Sequence, residues 1–133
     1  MSTLGRTVSG KVVGGFAALI VVAALLPLVS QSTTREITLV ADDMAFYLEG
    51  DPSRPNPTIE VKAGERIRVV LRNEERGLIH DFALPAAGAG IDALGWNERG
   101  DVTFEVPDVP GNYEYVCRPH LLMMKGVMTV VAR

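Results

Sequence analysis

The chain has 133 residues, enough for one domain, and 47% of them are apolar. All 16 acidic residues lie in residues 35–133, and Arg6 and Lys11 are the only basic residues upstream, so this part has a net charge of −5. This net negative charge argues against general binding to nucleic acid, which needs a cluster of basic side chains on the protein surface.

The first predicted element is an apolar helix over residues 12–29, which contain no charged residue. A helix of this length spans about 27 Å, close to the hydrocarbon core of a bilayer. The preceding Arg6 and Lys11 favour a cytoplasmic N-terminus. We therefore interpret residues 1–34 as a membrane anchor, or as a cleaved secretory signal. Either interpretation places residues 35–133 outside the cytoplasm, in the periplasm or at the cell surface.

Short segments of alternating apolar and polar residues follow, and each predicts a β-strand. The predicted strands cover residues 36–41, 44–48, 58–62, 66–73, 78–84, 101–106, 112–117 and 126–132. The tight turn at residues 63–65 predicts a hairpin of the third and fourth strands. Residues 86–95 are small and flexible, and we interpret them as a loop or a short helix. About seven or eight short strands predict an all-β fold, a Greek-key sandwich or barrel, over residues 35–133.

The stretch GNYEYVCRPHLLMMKG, residues 111–126, concentrates side chains that bind soft metals. It contains Cys117, the only cysteine of the chain, together with His120 and Met124. The second of the two histidines, His80, lies near the start of a predicted strand. A thiolate, two imidazoles and a weakly bound thioether are the ligand set of a mononuclear copper site for electron transfer. Zinc accepts most of these ligands, but the methionine favours copper.

The spacing within this stretch predicts a stiff loop between two strands. Cys117 ends a predicted strand, and Pro119 fixes its own backbone angle directly before His120. Gly126 is expected to permit a sharp entry into the last strand. A rigid sandwich with ligands on strand ends and a tight loop would hold a metal with little rearrangement during electron transfer.

Residues 35–133 resemble the cupredoxins, the small blue copper proteins of the plastocyanin, azurin and amicyanin type. The resemblance rests on YEYVCRPHLLMMKG and on an upstream histidine that precedes an acidic residue and an apolar strand. It implies that His80, Cys117 and His120 bind one copper ion, Cu(I) or Cu(II), with Met124 as the axial ligand. It also implies that electrons leave through the exposed edge of His120.

Asp81 and Met123 are the two positions near the predicted ligands whose roles the family pattern does not settle. Many family members have asparagine after the first histidine, where it bridges the two ligand segments, and this chain has Asp81. A carboxylate can make the same hydrogen bond, and an ionised one near copper would favour Cu(II) and lower the reduction potential. Met123 is a second thioether directly before Met124, so the sequence leaves the choice of axial ligand open.

The predicted function is that of a mononuclear type 1 copper protein, not an enzyme, that carries single electrons between redox partner proteins. We expect a monomer, attached to the membrane through residues 12–29 if that segment is not cleaved. Residues 121–123, together with the small residues 85–90, are expected to form an apolar docking patch around His120. Three alternatives stay open: copper storage or delivery with the same ligands, a cupredoxin-like binding module without metal, and a nucleophilic enzyme that uses Cys117 with His120.

Overall fold

The computed structural model describes residue 10 and residues 33–133. The apolar helix predicted over residues 12–29 lies outside the described residues, so the anchor or signal within residues 1–34 stays a prediction. No helix within residues 33–133 is long and apolar enough to cross a membrane.

The described part of the chain is built from strands, as the alternating pattern predicted. In chain order the strands are β1 (Arg35–Asp42), β2 (Ala45–Leu48), β3 (Ile59–Lys62), β4 (Arg66–Asn73), β5 (His80–Leu84), β6 (Ala89–Leu94), β7 (Arg99–Glu105), β8 (Gly111–Val116) and β9 (Lys125–Val131). Short 3-10 helices cover Pro85–Ala87 and Arg118–His120. Each of the predicted strands corresponds to one of these, and the all-β prediction is confirmed.

The strands form two sheets that pack into a sandwich. One sheet has the order β2-β1-β4-β7 and the other has the order β3-β9-β8-β5-β6. The pairs β1–β4 and β3–β9 are parallel, whereas the other pairs are antiparallel. Alternate side chains of β4 point into the core, where Ile67, Val69 and Leu71 are fully buried. Arg66, Arg68 and Arg72 lie on the outer face, as the sequence pattern predicted, whereas Val70 on that face is buried as well.

Three aromatic rings pack together in the core below the end of the sandwich that carries His80 and Cys117. The Phe46 and Tyr115 ring centroids are 5.5 Å apart, and the Phe82 and Tyr115 centroids are 5.8 Å apart. Phe82 lies two residues after His80, and Tyr115 lies two residues before Cys117. Alternation along a strand points such neighbours to the same side, so the cluster supports both segments from beneath.

The hairpin predicted for the third and fourth strands is wrong. β3 pairs with β9, where Val61 is opposite Val130, and β4 pairs with β1 and β7 in the other sheet. The turn between them crosses from one sheet to the other, and Gly64 adopts a positive φ of 64° there. Alternation of side chains shows which face of a strand is buried, but it does not identify the partner strand.

The loop or short helix predicted over residues 86–95 is also wrong for most of its length. Strand β6 occupies Ala89–Leu94 and forms an antiparallel edge beside β5. Its Ala89 and Ile91 are buried, so the alternating pattern is present but short. Pairing with β5 outweighs the weak strand propensity of these small residues.

Strands β5 and β8 are joined by backbone pairing at one place only, Ala83 with Val116. Beyond this pair no further backbone pair joins the two strands at the end of the sheet where β5 begins and β8 ends. His80 is the first residue of β5, and Cys117 directly follows β8. The sheet is therefore split at the point where the predicted ligands lie.

Candidate metal centre

The structure brings three of the predicted ligands together at the split end of the sheet. Donor atoms of His80, Cys117 and His120 lie within 4.8 Å of one another. The His80 Nδ1 atom is 3.8 Å from Cys117 Sγ, and the two imidazole centroids are 4.9 Å apart. His80 and Cys117 are fully buried, whereas His120 is partly exposed. The site is thus closed toward the core and open to the surface at one imidazole.

The second histidine is placed by a loop that closes on itself. Cys117 donates its backbone N–H to the Met124 carbonyl at 2.9 Å, and His120 N–H donates back to the Cys117 carbonyl at 3.1 Å. Met124 N–H in turn donates to the His120 carbonyl at 2.9 Å. Pro119 lies in the 3-10 turn that carries His120, as expected of a residue with a fixed backbone angle. Backbone hydrogen bonds therefore fix the positions of all three residues.

Gly126 has a different role from the predicted one. It lies opposite Tyr115 in the β8–β9 ladder, and a Cβ atom at this position would be 2.3 Å from the Tyr115 ring. The Tyr115 hydroxyl donates to the Pro57 carbonyl at 2.6 Å, which fixes the ring in that place. Glycine is needed here because the aromatic ring packs over its backbone, and not because the chain turns sharply.

The two methionines next to His120 differ in their surroundings. Met124 is fully buried within the core cluster, whereas the side chain of Met123 is 58% exposed. Asn56 donates its Nδ2 to the Met123 carbonyl at 3.0 Å and accepts the Phe46 N–H at 3.0 Å. The loop before β3 thereby holds the ligand loop in place.

Hydrogen bonds on the outer nitrogen of each imidazole determine which nitrogen is free to bind a metal. His80 Nε2 lies 2.9 Å from a Glu75 carboxylate oxygen, and His120 Nε2 lies 3.1 Å from the Ile79 carbonyl. Both partners are acceptors, so each Nε2 carries the proton and each Nδ1 keeps its lone pair. The ring nitrogens are thus prepared for metal binding through Nδ1.

Asp81 bridges the two ligand segments where their backbones no longer pair. One carboxylate oxygen accepts the Arg118 backbone N–H at 2.7 Å, and the other accepts Arg118 Nε–H at 2.6 Å. Asp81 is buried, and its own N–H points to Cys117 Sγ at 3.5 Å. The bridge expected from the family's asparagine is present. The guanidinium of Arg118 offsets the carboxylate charge, which opposes the expected lowering of the potential by Asp81.

Burial sets the protonation of the ligands in the metal-free protein. Burial lowers the pKa of His80, although the nearby Glu75 carboxylate acts in the opposite direction. Burial likewise raises the pKa of the Cys117 thiol. His80 is therefore neutral near pH 7 and can coordinate directly, whereas Cys117 has to release a proton when a metal binds.

Sequence reasoning missed the residues that support the ligands. Glu75 belongs to the polar, turn-like segment 74–77, Asn73 is the last residue of β4, and Arg118 lies between two ligands. Asn73 is fully buried, and Glu75 is partly buried. A polar residue a few positions from a predicted ligand is the only signal in the sequence that could have indicated them.

Comparison with known proteins bears on the chemistry of this site. Residues 55–131 match the family model of copper-binding proteins of the plastocyanin/azurin family. The chain belongs to this family. The comparison with curated proteins gave no match. The resemblance to the cupredoxins is thereby confirmed.

Solved structures show the same fold at low sequence identity. Auracyanin from Roseiflexus castenholzii is 21% identical with a TM-score of 0.59, covering 74% of this chain and 98% of the other. Rusticyanin from Thiobacillus ferrooxidans is 21% identical with a TM-score of 0.58, covering 74% and 77%. Copper nitrite reductase from Nitrosomonas europaea is 22% identical with a TM-score of 0.62, covering 76% and 42%. At this level of identity the similarity shows the fold alone.

The cofactor of this cupredoxin is one copper ion, as predicted. Family membership and the clustered donor atoms of His80, Cys117 and His120 agree on it. Imidazole nitrogen suits Cu(II) and thiolate sulfur suits Cu(I), so this donor set fits both oxidation states. The burial of Cys117 and His80 keeps water away from the donors.

Proposed function

We propose that residues 35–133 carry single electrons between redox partner proteins outside the cytoplasm. The observation that carries the proposal is the cluster of His80, Cys117 and His120 donor atoms within 4.8 Å of one another. In the proposed site Met124 would be the thioether ligand, because it is buried beside Cys117 while Met123 faces solvent. The copper supplies the chemistry by cycling between Cu(I) and Cu(II).

The chain supports this role by holding its ligands before any metal is bound. Cys117, His120 and Met124 are connected by backbone hydrogen bonds within one short loop. Asp81 fixes that loop to the start of β5, where His80 lies. A site that keeps one shape in both oxidation states needs little reorganisation, which favours fast electron transfer.

The exposed side of the site suits contact with another protein. Leu122 is 92% exposed, and Leu121 and Met123 are also exposed beside the partly exposed His120. Pro119 and Met44 line the same shallow groove. Exposed apolar side chains in one group mark interaction surfaces, and a small surface of this kind suits a weak, short-lived complex. We propose that electrons enter and leave here, through His120.

Location and assembly are inferred from the sequence. The uncharged segment over residues 12–29 and the basic residues before it support export, either with a retained membrane anchor or after cleavage. We propose a monomer, because a carrier has to expose its docking patch to different partners in turn.

The positions of the two histidines favour an electron carrier over an enzyme. Both histidines of the chain belong to the one cluster, so neither is left to bind a second copper ion for catalysis. A nucleophilic role for Cys117 is disfavoured, because its side chain is fully buried and burial raises the pKa of its thiol.

The test is to load residues 35–133 with Cu(II) and to record visible and electron paramagnetic resonance spectra before and after reduction. We expect an intense thiolate-to-copper band that disappears on reduction and returns on oxidation. Cys117→Ser should abolish the band and keep the fold. A pale spectrum of tetragonal copper that Cys117→Ser does not change would refute the proposal. Tight Cu(I) binding without a reversible band would instead indicate storage or delivery.

A further inference from the structure

The two imidazoles of the cluster have different hydrogen-bond partners on their outer nitrogens. The partner of His120 is a neutral backbone carbonyl, that of Ile79, at 3.1 Å. The partner of His80 is the Glu75 carboxylate at 2.9 Å. His80 is fully buried, and the Glu75 side chain is only 17% exposed. The buried His80 therefore forms its outer hydrogen bond with a charged carboxylate that solvent screens poorly.

The Glu75 carboxylate selects the form of His80 that can bind metal. Carboxylate oxygens accept hydrogen bonds, so the His80 proton has to lie on Nε2. The Nδ1 lone pair then points toward Cys117 Sγ, 3.8 Å away. With the opposite tautomer, Nδ1 would carry a proton and could not bind a metal.

Other hydrogen bonds hold Glu75 in place. The oxygen that faces His80 also accepts the Met44 backbone N–H at 3.0 Å. The Glu75 N–H donates to Asn73 Oδ1 at 2.9 Å. Asn73 is fully buried and donates its Nδ2 to the carbonyls of Leu78 and Leu94, both at 2.9 Å. Glu75 is thus fixed at its backbone and at its carboxylate, so the contact with His80 does not depend on a mobile side chain.

Glu75 also differs from the other carboxylate near the ligands. Asp81 is paired with the guanidinium of Arg118 at 2.6 Å, which offsets its charge. The hydrogen-bond partners of the Glu75 carboxylate within residues 33–133 are an amide N–H and the His80 ring. Its negative charge therefore acts mainly on His80.

We propose that Glu75 is a positioning residue that fixes the tautomer and ring orientation of His80 and lowers the copper reduction potential. A carboxylate on the outer nitrogen makes the imidazole a stronger donor, which stabilises Cu(II) more than Cu(I). The inference rests on the proposed copper site, because it concerns one ligand of that site. In this proposal Glu75, and not Asp81, is the carboxylate that lowers the reduction potential.

The test compares Glu75→Gln with Glu74→Gln. Glutamine has nearly the shape of glutamate, so the first variant removes the charge with little change in volume. Glu74 is exposed and adjacent in sequence, and its carboxylate pairs with Arg72. The second variant thus removes the same charge nearby without touching His80. Reduction potential, copper affinity in each oxidation state and the visible spectrum are measured for both variants.

For Glu75→Gln we expect the blue band to remain and the affinity for Cu(II) to fall about tenfold relative to that for Cu(I). A tenfold change for one electron corresponds to a rise of about 59 mV in potential. Glu74→Gln should leave the potential near that of the original protein. An equal shift in both variants, or no shift in either with the band intact, would overturn the role of Glu75. Absence of the band from the original protein would instead refute the proposed function.

A second measurement does not depend on copper. Nitrogen-15 spectra of the metal-free protein report the tautomer of each histidine. The original protein should show His80 with its proton on Nε2, and Glu75→Gln should show a mixture of tautomers, since an amide can donate as well as accept. Glu75→Asp keeps the charge but shortens the side chain, so it should lose the contact as well. An unchanged His80 tautomer in both variants would contradict the positioning role.

Discussion

Replacement of Asp81 by alanine removes the bridge between the start of β5 and the loop after β8. The buried carboxylate accepts two hydrogen bonds from Arg118, one from the backbone N–H at 2.7 Å and one from Nε–H at 2.6 Å. The strands make one backbone pair, Ala83 with Val116, so this side chain replaces the missing ladder. We expect Asp81→Ala to destabilise the metal-free protein.

The two hydrogen bonds contribute unequally. A hydrogen bond from a backbone N–H to a buried carboxylate is worth about 1.5–3 kcal/mol. The guanidinium contact adds less than about 1 kcal/mol, because the Arg118 side chain is 54% exposed and solvent screens the pair. The expected loss for Asp81→Ala is therefore about 1.5–4 kcal/mol. Asp81→Asn keeps one acceptor oxygen for the backbone N–H and should lose about 1–2 kcal/mol.

Denaturant unfolding followed by circular dichroism measures these losses. The metal-free protein has to be used, because copper would join the same two segments through His80 and Cys117. Arg118→Ala is the matched control, since it removes the guanidinium contact and keeps the backbone N–H, and it should cost less than about 1 kcal/mol. If Asp81→Ala costs no more than Arg118→Ala, the backbone hydrogen bond does not support the split sheet and the reasoning is wrong.

Three further predictions concern the ligand loop and the ring beneath it. Met124→Leu should change the copper spectrum and raise the reduction potential because a weak axial thioether tunes it, whereas Met123→Leu should change neither; the reverse result would assign the axial position to Met123. Tyr115→Phe should lower the free energy of unfolding by about 1–3 kcal/mol, because it leaves the Pro57 carbonyl without its partner, and unchanged thermal stability would contradict this. Gly126→Ala should also destabilise the fold, because the new methyl group would overlap the Tyr115 ring. An unchanged temperature of thermal unfolding would show that the ring can move aside.

The sequence predicted the ligands because their spacing is a local property. Cys117, His120 and Met124 lie within one short loop, and their side chains are rare enough in this chain to stand out. His80 could be assigned because it is the only other histidine. The family pattern then supplied the ligand roles that spacing alone left open.

The supporting residues could not be predicted in the same way. Glu75 lies in the polar segment EERG, which has the composition of an exposed turn. Its role depends on the buried Asn73, which ties that segment to a carbonyl of β6 in the other sheet. The same limit explains the wrong hairpin, because the partners of β3 and β4 are distant in sequence. Local patterns reveal burial, but contacts between distant segments require the assembled sandwich.

The hydrogen bond from Cys117 N–H to the Met124 carbonyl has a consequence for how this site can change in evolution. The bond pins the two ends of the ligand loop to each other, so β8 and β9 meet the loop at one closed junction. Residues inserted or deleted between His120 and Met124 would alter the loop's contour and the outer surface without shifting β8 or β9. Closing a slightly longer loop costs little entropy. The exposed surface of the loop and the copper environment can therefore diversify while the same sandwich is kept.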